Sequence, residues 1–182
     1  MRKLISSLML IILSPLILII VVLIFVTDGM PIIFRQERIG KNNRKFMIYK
    51  FRTMKNETPD IPTHLFTDYS NHFIPAGNFL RKYSLDEIPQ LINILKGDML
   101  FIGPRPALYN QNDLINHRTK DSIHKLKPGI TGWAQVNGRD ELTISQKVSL
   151  DKFYLENQSI NLDIKILIMT LYKVIKKDGV VK

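Results

Sequence analysis

Leu4-Ile5-Ser6-Ser7-Leu8-Met9-Leu10-Ile11-Ile12-Leu13-Ser14-Pro15-Leu16-Ile17-Leu18-Ile19-Ile20-Val21-Val22-Leu23-Ile24-Phe25-Val26 is a run of 23 uncharged residues in which only Ser6, Ser7, Ser14 and Pro15 are not large hydrophobes. Apolar side chains surround the whole helix circumference, whereas a surface helix of a globular domain keeps one face polar for water. At about −0.3 to −0.6 kcal/mol per residue, insertion into lipid is favoured by roughly 5 to 10 kcal/mol. A cleaved signal peptide would begin alike, with Arg2 and Lys3 as its positive region. The run ends Phe25-Val26-Thr27-Asp28-Gly29-Met30, however, without the Ala-x-Ala-like site that cleavage needs. Residues 1–28 therefore read as a membrane element and residues 29–182 as one domain.

Ser14 and Pro15 interrupt the run at its middle. Proline lacks an amide proton and clashes with the carbonyl four residues back, while a serine hydroxyl can serve a freed backbone group. Each half, at about 1.5 Å per residue, is roughly 16 to 18 Å long, close to half of a hydrocarbon core of about 30 Å. Arg2 and Lys3 precede the run, and Arg35, Arg38, Lys41, Arg44 and Lys45 follow it. The positive-inside rule draws both ends to the cytoplasm. A re-entrant helix-break-helix hairpin satisfies both flanks; a proline-kinked single span is the alternative these residues leave open.

The chain has 182 residues, with 26 Lys and Arg against 16 Asp and Glu for a formal net charge of +10. That length suits one compact domain, and an apolar fraction of 45% is too high for a disordered basic tail. The charge calls for an acidic partner. The absence of cysteine excludes disulfides, a thiolate nucleophile and Cys-based metal sites. Residues 35–182 carry 24 basic and 15 acidic side chains, 24 − 15 = +9, with no long linker, repeat or low-complexity tract. Strand propensity is found at 46–52 and 130–136, and helical periodicity at 85–95, 108–125, 141–156 and 162–177. The expected fold class is α+β, mostly helical, with little strand. In the last helix Ile164, Leu167, Ile168, Leu171, Tyr172 and Ile175 form a stripe. It either packs on the core or lies among lipid headgroups, with Lys165, Lys173, Lys176 and Lys177 near anionic lipid.

Ser84-Leu85-Asp86-Glu87-Ile88-Pro89-Gln90-Leu91 sets two adjacent carboxylates at a helix start in a cation-rich chain. With Ser84 as cap, Ser84 and Glu87 make a capping box, but Pro89 then breaks an internal hydrogen bond. With Asp86 as cap, Pro89 fits the first turn. The start is ambiguous, and a carboxylate is left for other work. In Gly103-Pro104-Arg105-Pro106, both Gly103 and Arg105 precede proline and are pushed to extended angles. Arg105 thus sits on a stiff loop, either a plain turn or a mount for bidentate phosphate contact. Pro128-Gly129-Ile130-Thr131-Gly132 and Asn137-Gly138-Arg139-Asp140 are turns whose amides, beside Arg139, could form an anion nest. His64, His72, His117 and His124 lack the close spacing of zinc ligands, and the aromatics are not interleaved with basic residues as nucleic-acid platforms require.

Together these stretches resemble the small monotopic phosphoglycosyl transferases, the bacterial sugar transferase family. The matching motifs are the hydrophobic segment with Ser14-Pro15, then Phe34-Arg35-Gln36-Glu37-Arg38-Ile39-Gly40, then Tyr49-Lys50-Phe51-Arg52-Thr53-Met54. They continue with the Asp86-Glu87 stretch from Leu80, Asn93-Ile94-Leu95-Lys96-Gly97-Asp98-Met99, Ile102-Gly103-Pro104-Arg105-Pro106, and the run from Pro128 through Asn137-Gly138-Arg139. Any one is weak; their order along nearly the whole chain is specific.

The resemblance implies a re-entrant hairpin broken at Ser14 and Pro15, with amphipathic helices at the interface. It makes Asp86 and Glu87 the catalytic dyad, with Asp86 the nucleophile and Mg2+ held at Asp86 and Glu87. Arg81, Arg105, Arg139 and Lys50 fall at positions near the substrate phosphates. The implied reaction moves a phosphosugar from a UDP-sugar to polyprenyl (undecaprenyl) phosphate, releasing UMP through an aspartyl-phosphosugar intermediate. The implied place is the bacterial cytoplasmic membrane, at anionic lipids of the inner leaflet, with the catalytic domain facing the cytoplasm. The role is the first membrane step of surface polysaccharide or glycoconjugate assembly, and Ala107-Leu108-Tyr109-Asn110-Gln111 is similar to capsule-type members. The physics agrees, since a carboxylate attacks an anionic phosphorus only when the repulsion is screened. A non-enzymatic, membrane-anchored basic module explains the charge and the anchor but not the order of the motifs. The chain length suggests the minimal catalytic form. No nucleic acid is expected; the sugar and the oligomeric state are not legible.

Overall fold

Pro15 has no amide proton to give the Ile11 carbonyl, and the chain bends there. The computed structural model describes residues 2–56, 58, 72–138 and 141–176. In it α1 (Arg2–Ile12) and α2 (Ser14–Asp28) are bent by 60°. The Ser14 hydroxyl donates to the Ile11 carbonyl at 2.8 Å, replacing the missing amide, and Pro15 falls harmlessly in the first turn of α2. Among the described residues no single helix is long and apolar enough to cross a membrane; the bent pair meets that test together, by length and composition.

One face of the pair is part of the protein interior. Ser6 donates to the Leu91 carbonyl at 2.8 Å, and Ile20 and Ile24 join Phe51, Ile74 and Leu80 in a core cluster. Buried Arg52 ties off the end of α2, pairing with the Asp28 carboxylate at 3.0 Å and donating to the Asp28 and Gly29 carbonyls at 2.9 Å. The opposite face, with Leu4, Leu8, Ile11, Leu18, Val22 and Phe25, is exposed.

The strands are few and short. β1 (Ile33–Ile39) and β2 (Lys45–Phe51) pair antiparallel, with Phe34 opposite Lys50. After α3 (Gly77–Lys82) and a 3-10 turn at Leu85–Glu87 comes α4 (Gln90–Lys96). Its fully buried Asn93 closes the open edge of β2, donating to the Met47 carbonyl at 2.7 Å and accepting the Tyr49 amide at 3.1 Å. β3 (Leu100–Ile102) runs parallel to β5 (Gly129–Thr131), and β4 (Ala107–Leu108) adds to the far edge of β1. The chain crosses itself tightly here. A Cβ at Gly129 would lie 2.1 Å from the Gly103 nitrogen, so no side chain fits.

The described chain is mostly helical with little strand, as expected, but three boundaries differ. The strand expected at 130–136 ends at Thr131 and becomes α6 (Trp133–Val136), because its partner β3 stops before Gly103-Pro104 and proline cannot extend a ladder. The helix expected at 108–125 shrinks to α5 (Asn112–Lys120): Ala107 and Leu108 pair with Ile39 and Arg38, and Ser122 turns left-handed at φ 61°. The helix expected at 85–95 is split into the 3-10 turn and α4. α7 (Ile144–Glu156) follows the expectation, opened by a capping box between Thr143 and Gln146.

In α8 (Ile160–Lys176) it is Ile166 that is buried, packed with Ile102, Val136 and Tyr154. The stripe of Ile164, Leu167, Ile168, Leu171, Tyr172 and Ile175 is exposed, so the core-packing alternative for it is wrong. The inward surface comes instead from Leu162, Ile166 and Met169, at the 3- and 4-residue spacing of a helix face.

Candidate active site

Ser84, at φ 54°, takes a left-handed turn just after α3 and throws the chain into the 3-10 turn that carries Asp86 and Glu87. Neither capping scheme is realised. The Ser84 side chain makes no capping bond, and Pro89 at φ −61° stands before α4 rather than inside it. The carboxylates are thereby kept from capping a helix and turned inward, at 4% and 8% exposure.

Two cations from distant strands and loops converge on them. Lys50, in β2, places Nζ 2.6 Å from Glu87 Oε1 and 3.9 Å from Asp86 Oδ2. Arg105 brings Nη1 to 3.4 Å from the same Glu87 oxygen. Burial holds the Lys50 ammonium below the usual lysine range; Glu87 and Asp86 pull it back up, and Arg105 pushes it down. The arrangement is a pair of buried anions screened on one flank by two cations.

The Pro-Arg-Pro loop is held by its backbone. The Gly103 amide donates to the Thr131 carbonyl at 2.9 Å, and the Gly129 amide to the Pro104 carbonyl at 3.0 Å. Arg118 of α5 donates to the Arg105 carbonyl at 2.8 Å, and Arg38 of β1 to the Pro106 carbonyl at 3.2 Å. Arg118 is anchored in turn by buried Asp151 of α7, at 2.6 and 3.0 Å. Burial pushes the Asp151 carboxyl up, against the opposing pull of Arg118.

Of the residues singled out from the sequence, the structure gathers Lys50, Asp86, Glu87 and Arg105. Arg81 lies on α3, which packs against the turn bearing Asp86, with Nη1 3.5 Å from Met54 Sδ and its guanidinium 5.7 Å from the Phe73 ring centre. Ser14 and Pro15 sit at the bend of α1 and α2. Arg139 falls outside the described residues, as do His64 and Lys177. Sequence reasoning missed Arg118 and Asp151. Their signal was there: a cation four residues after inward-facing Leu114 and an anion three residues after inward-facing Val148 are opposite charges on two buried helix faces.

A model of the bacterial sugar transferase family matches residues 1–177. The sugar transferase EpsL of Bacillus subtilis (strain 168) is 41% identical over 167 residues, covering 92% of this chain and 81% of its own. The UDP-glucose:undecaprenyl-phosphate glucose-1-phosphate transferase of Escherichia coli (strain K12) is 38% identical, covering 92% of this chain but only 38% of its own length. The UDP-N-acetylgalactosamine-undecaprenyl-phosphate N-acetylgalactosaminephosphotransferase of Aeromonas hydrophila is 36% identical, covering 91% of this chain and 40% of its own. The chain belongs to the bacterial sugar transferase family, whose members are sugar-phosphate transferases.

Proposed function

We propose that this chain transfers a phosphosugar from a UDP-sugar to polyprenyl (undecaprenyl) phosphate, releasing UMP, in two steps through Asp86. The observation that carries this reading is the convergence of Lys50 and Arg105 on the buried Asp86-Glu87 turn. A carboxylate oxygen of Asp86 attacks the sugar-bearing phosphorus, the phosphorus–oxygen bond to the UMP moiety breaks, and UMP departs with the bonding electrons. The acyl phosphosugar left on Asp86 is then attacked at the same phosphorus by the lipid phosphate oxygen, which expels the carboxylate. No net proton is consumed. Glu87 anchors Lys50 and Arg105 so that their charge is fixed in place before substrate arrives, the form of electrostatic help that costs least at the moment of reaction. Arg81 and Arg139 are assigned to the nucleotide and phosphate groups.

The donor set suits Mg2+, a hard ion usually held by one or two carboxylates with substrate phosphates completing its shell. Asp86 and Glu87 supply two such oxygen donors, and among the described residues no group of three or more acidic or histidine side chains forms a cage. Bound there with the diphosphate, Mg2+ would supply neutralisation of the phosphate charge.

The exposed faces of α1, α2 and α8 support a re-entrant attachment to the inner leaflet of the bacterial cytoplasmic membrane, with the dyad on the cytoplasmic side. The reaction would open assembly of a surface polysaccharide, with capsule the preferred setting. UMP release measured over a panel of UDP-sugars, with undecaprenyl phosphate and Mg2+, tests the reading. Sustained release, beyond one equivalent per protein, that requires one sugar and the lipid is expected; no release with any sugar when lipid and Mg2+ are both present overturns it.

A further inference from the structure

Beside the dyad lies an open cavity of about 220 Å³ lined by α1, the bend at Leu13, α4, β5, α6 and α8. Met9, Leu13, Leu91, Val136 and Val174 give it an apolar wall, and Glu87 and Arg105 form part of its lining. Of the polar groups in the wall, the Thr131 and Thr170 hydroxyls are 2.7 Å apart, Thr170 donates to the Ile166 carbonyl at 2.7 Å, and the Gln135 side-chain amide donates to the Ile130 carbonyl at 3.1 Å, leaving its buried Oε1 without a protein partner among the described residues. Two further cations line the cavity, Lys82 at the end of α3 and Lys173 on α8. Neither pairs with a carboxylate among the described residues. A nucleotide sugar has no hydrocarbon to set against such a wall. A ligand with one apolar end and one anionic end matches both halves.

We infer that this cavity seats the acceptor lipid, with Lys82 and Lys173 drawing its phosphate toward Arg105 and the apolar wall holding the first isoprene units. Resting on the proposed reaction, the inference adds where the acceptor enters: between the bend at Leu13 and α8, so that hydrocarbon leaves toward the exposed apolar faces of both. Lys173 is half-buried one position before cavity-lining Val174, so a single helical segment supplies both a cation and part of the hydrocarbon wall.

Native mass spectrometry of the full chain in detergent, with undecaprenyl phosphate or undecaprenol as probe, reads the site without turnover. Wild-type protein should retain the phosphate and largely release the alcohol. Lys173→Glu and Val174→Trp should each lose most of the retained lipid. In turnover assays their KM for undecaprenyl phosphate should rise about tenfold while KM for the UDP-sugar moves less than about twofold. Because tryptophan in the wall could disturb folding, Lys173→Glu decides the matter where the two variants differ. Wild-type-like retention by Lys173→Glu, no retention by the wild type, or equal capture of phosphate and alcohol overturns the inference. Specific retention without any turnover would instead overturn the proposed reaction and leave the cavity assignment standing.

Discussion

Asp86 and Glu87 are neighbours that share Lys50, at 3.9 and 2.6 Å, while Arg105 reaches Glu87 at 3.4 Å. In the proposed reaction Asp86 is the nucleophile and Glu87 holds the two cations in place. Lys50→Met would leave Glu87 buried with one cation fewer, and kcat/KM should fall by about 10²-fold, the usual scale for losing one preorganised charge. Lys50→Arg should recover part of that loss, measured as UMP release. Arg118→Met breaks a buried pair and should cost about 3 to 5 kcal/mol of stability, read as a lower melting temperature in detergent. Adding Asp151→Leu should restore most of that stability without restoring activity, because Arg118 also holds the Arg105 carbonyl. Recovery of both together would mean the pair serves folding alone.

At the scale of elements, the hairpin bend and the tight crossing at Gly103 and Gly129 position the site. Pro15→Leu with Ser14→Ala restores the amide to the Ile11 carbonyl and should favour one straight helix. With the native bend, tags at Met1 and Lys182 should both be shielded from outside intact cells; in the double variant the N-terminal tag should become externally accessible. External labelling of the native N-terminus would refute the re-entrant form. Gly129→Ala forces a methyl against backbone, not against a yielding side chain, so destabilisation of at least about 3 kcal/mol is expected from the same melting measurement. The bend was legible because proline acts locally, and α7 because its helical periodicity lies within the expected 141–156. The stop of β5 and the late start of α5 were not: they are fixed by the partners β3 and β1, which no local window contains.

The whole molecule is a catalytic unit grown onto the inner face of its own apolar helix pair. Ile20 is 2% exposed and Ile24 0%, in one cluster with Phe51 and Leu80, so the bent helix pair is part of the core. A chain begun at Gly29 should therefore fail to fold in detergent, shown by loss of a cooperative melting transition, rather than yield a soluble enzyme. The sequence motifs pointed to Lys50, Asp86, Glu87 and Arg105 because short linear patterns carry them. Arg118 and Asp151 escaped because their meaning lies in a contact 33 residues apart in the chain. The central claim is a covalent step on Asp86, and intact-protein mass spectrometry with UDP-sugar and Mg2+ but no lipid acceptor tests it most directly. A mass gain of one phosphosugar, mapping to Asp86, absent in Asp86→Asn and discharged by undecaprenyl phosphate, is the predicted result; undiminished UMP release by Asp86→Asn in the complete reaction would contradict it.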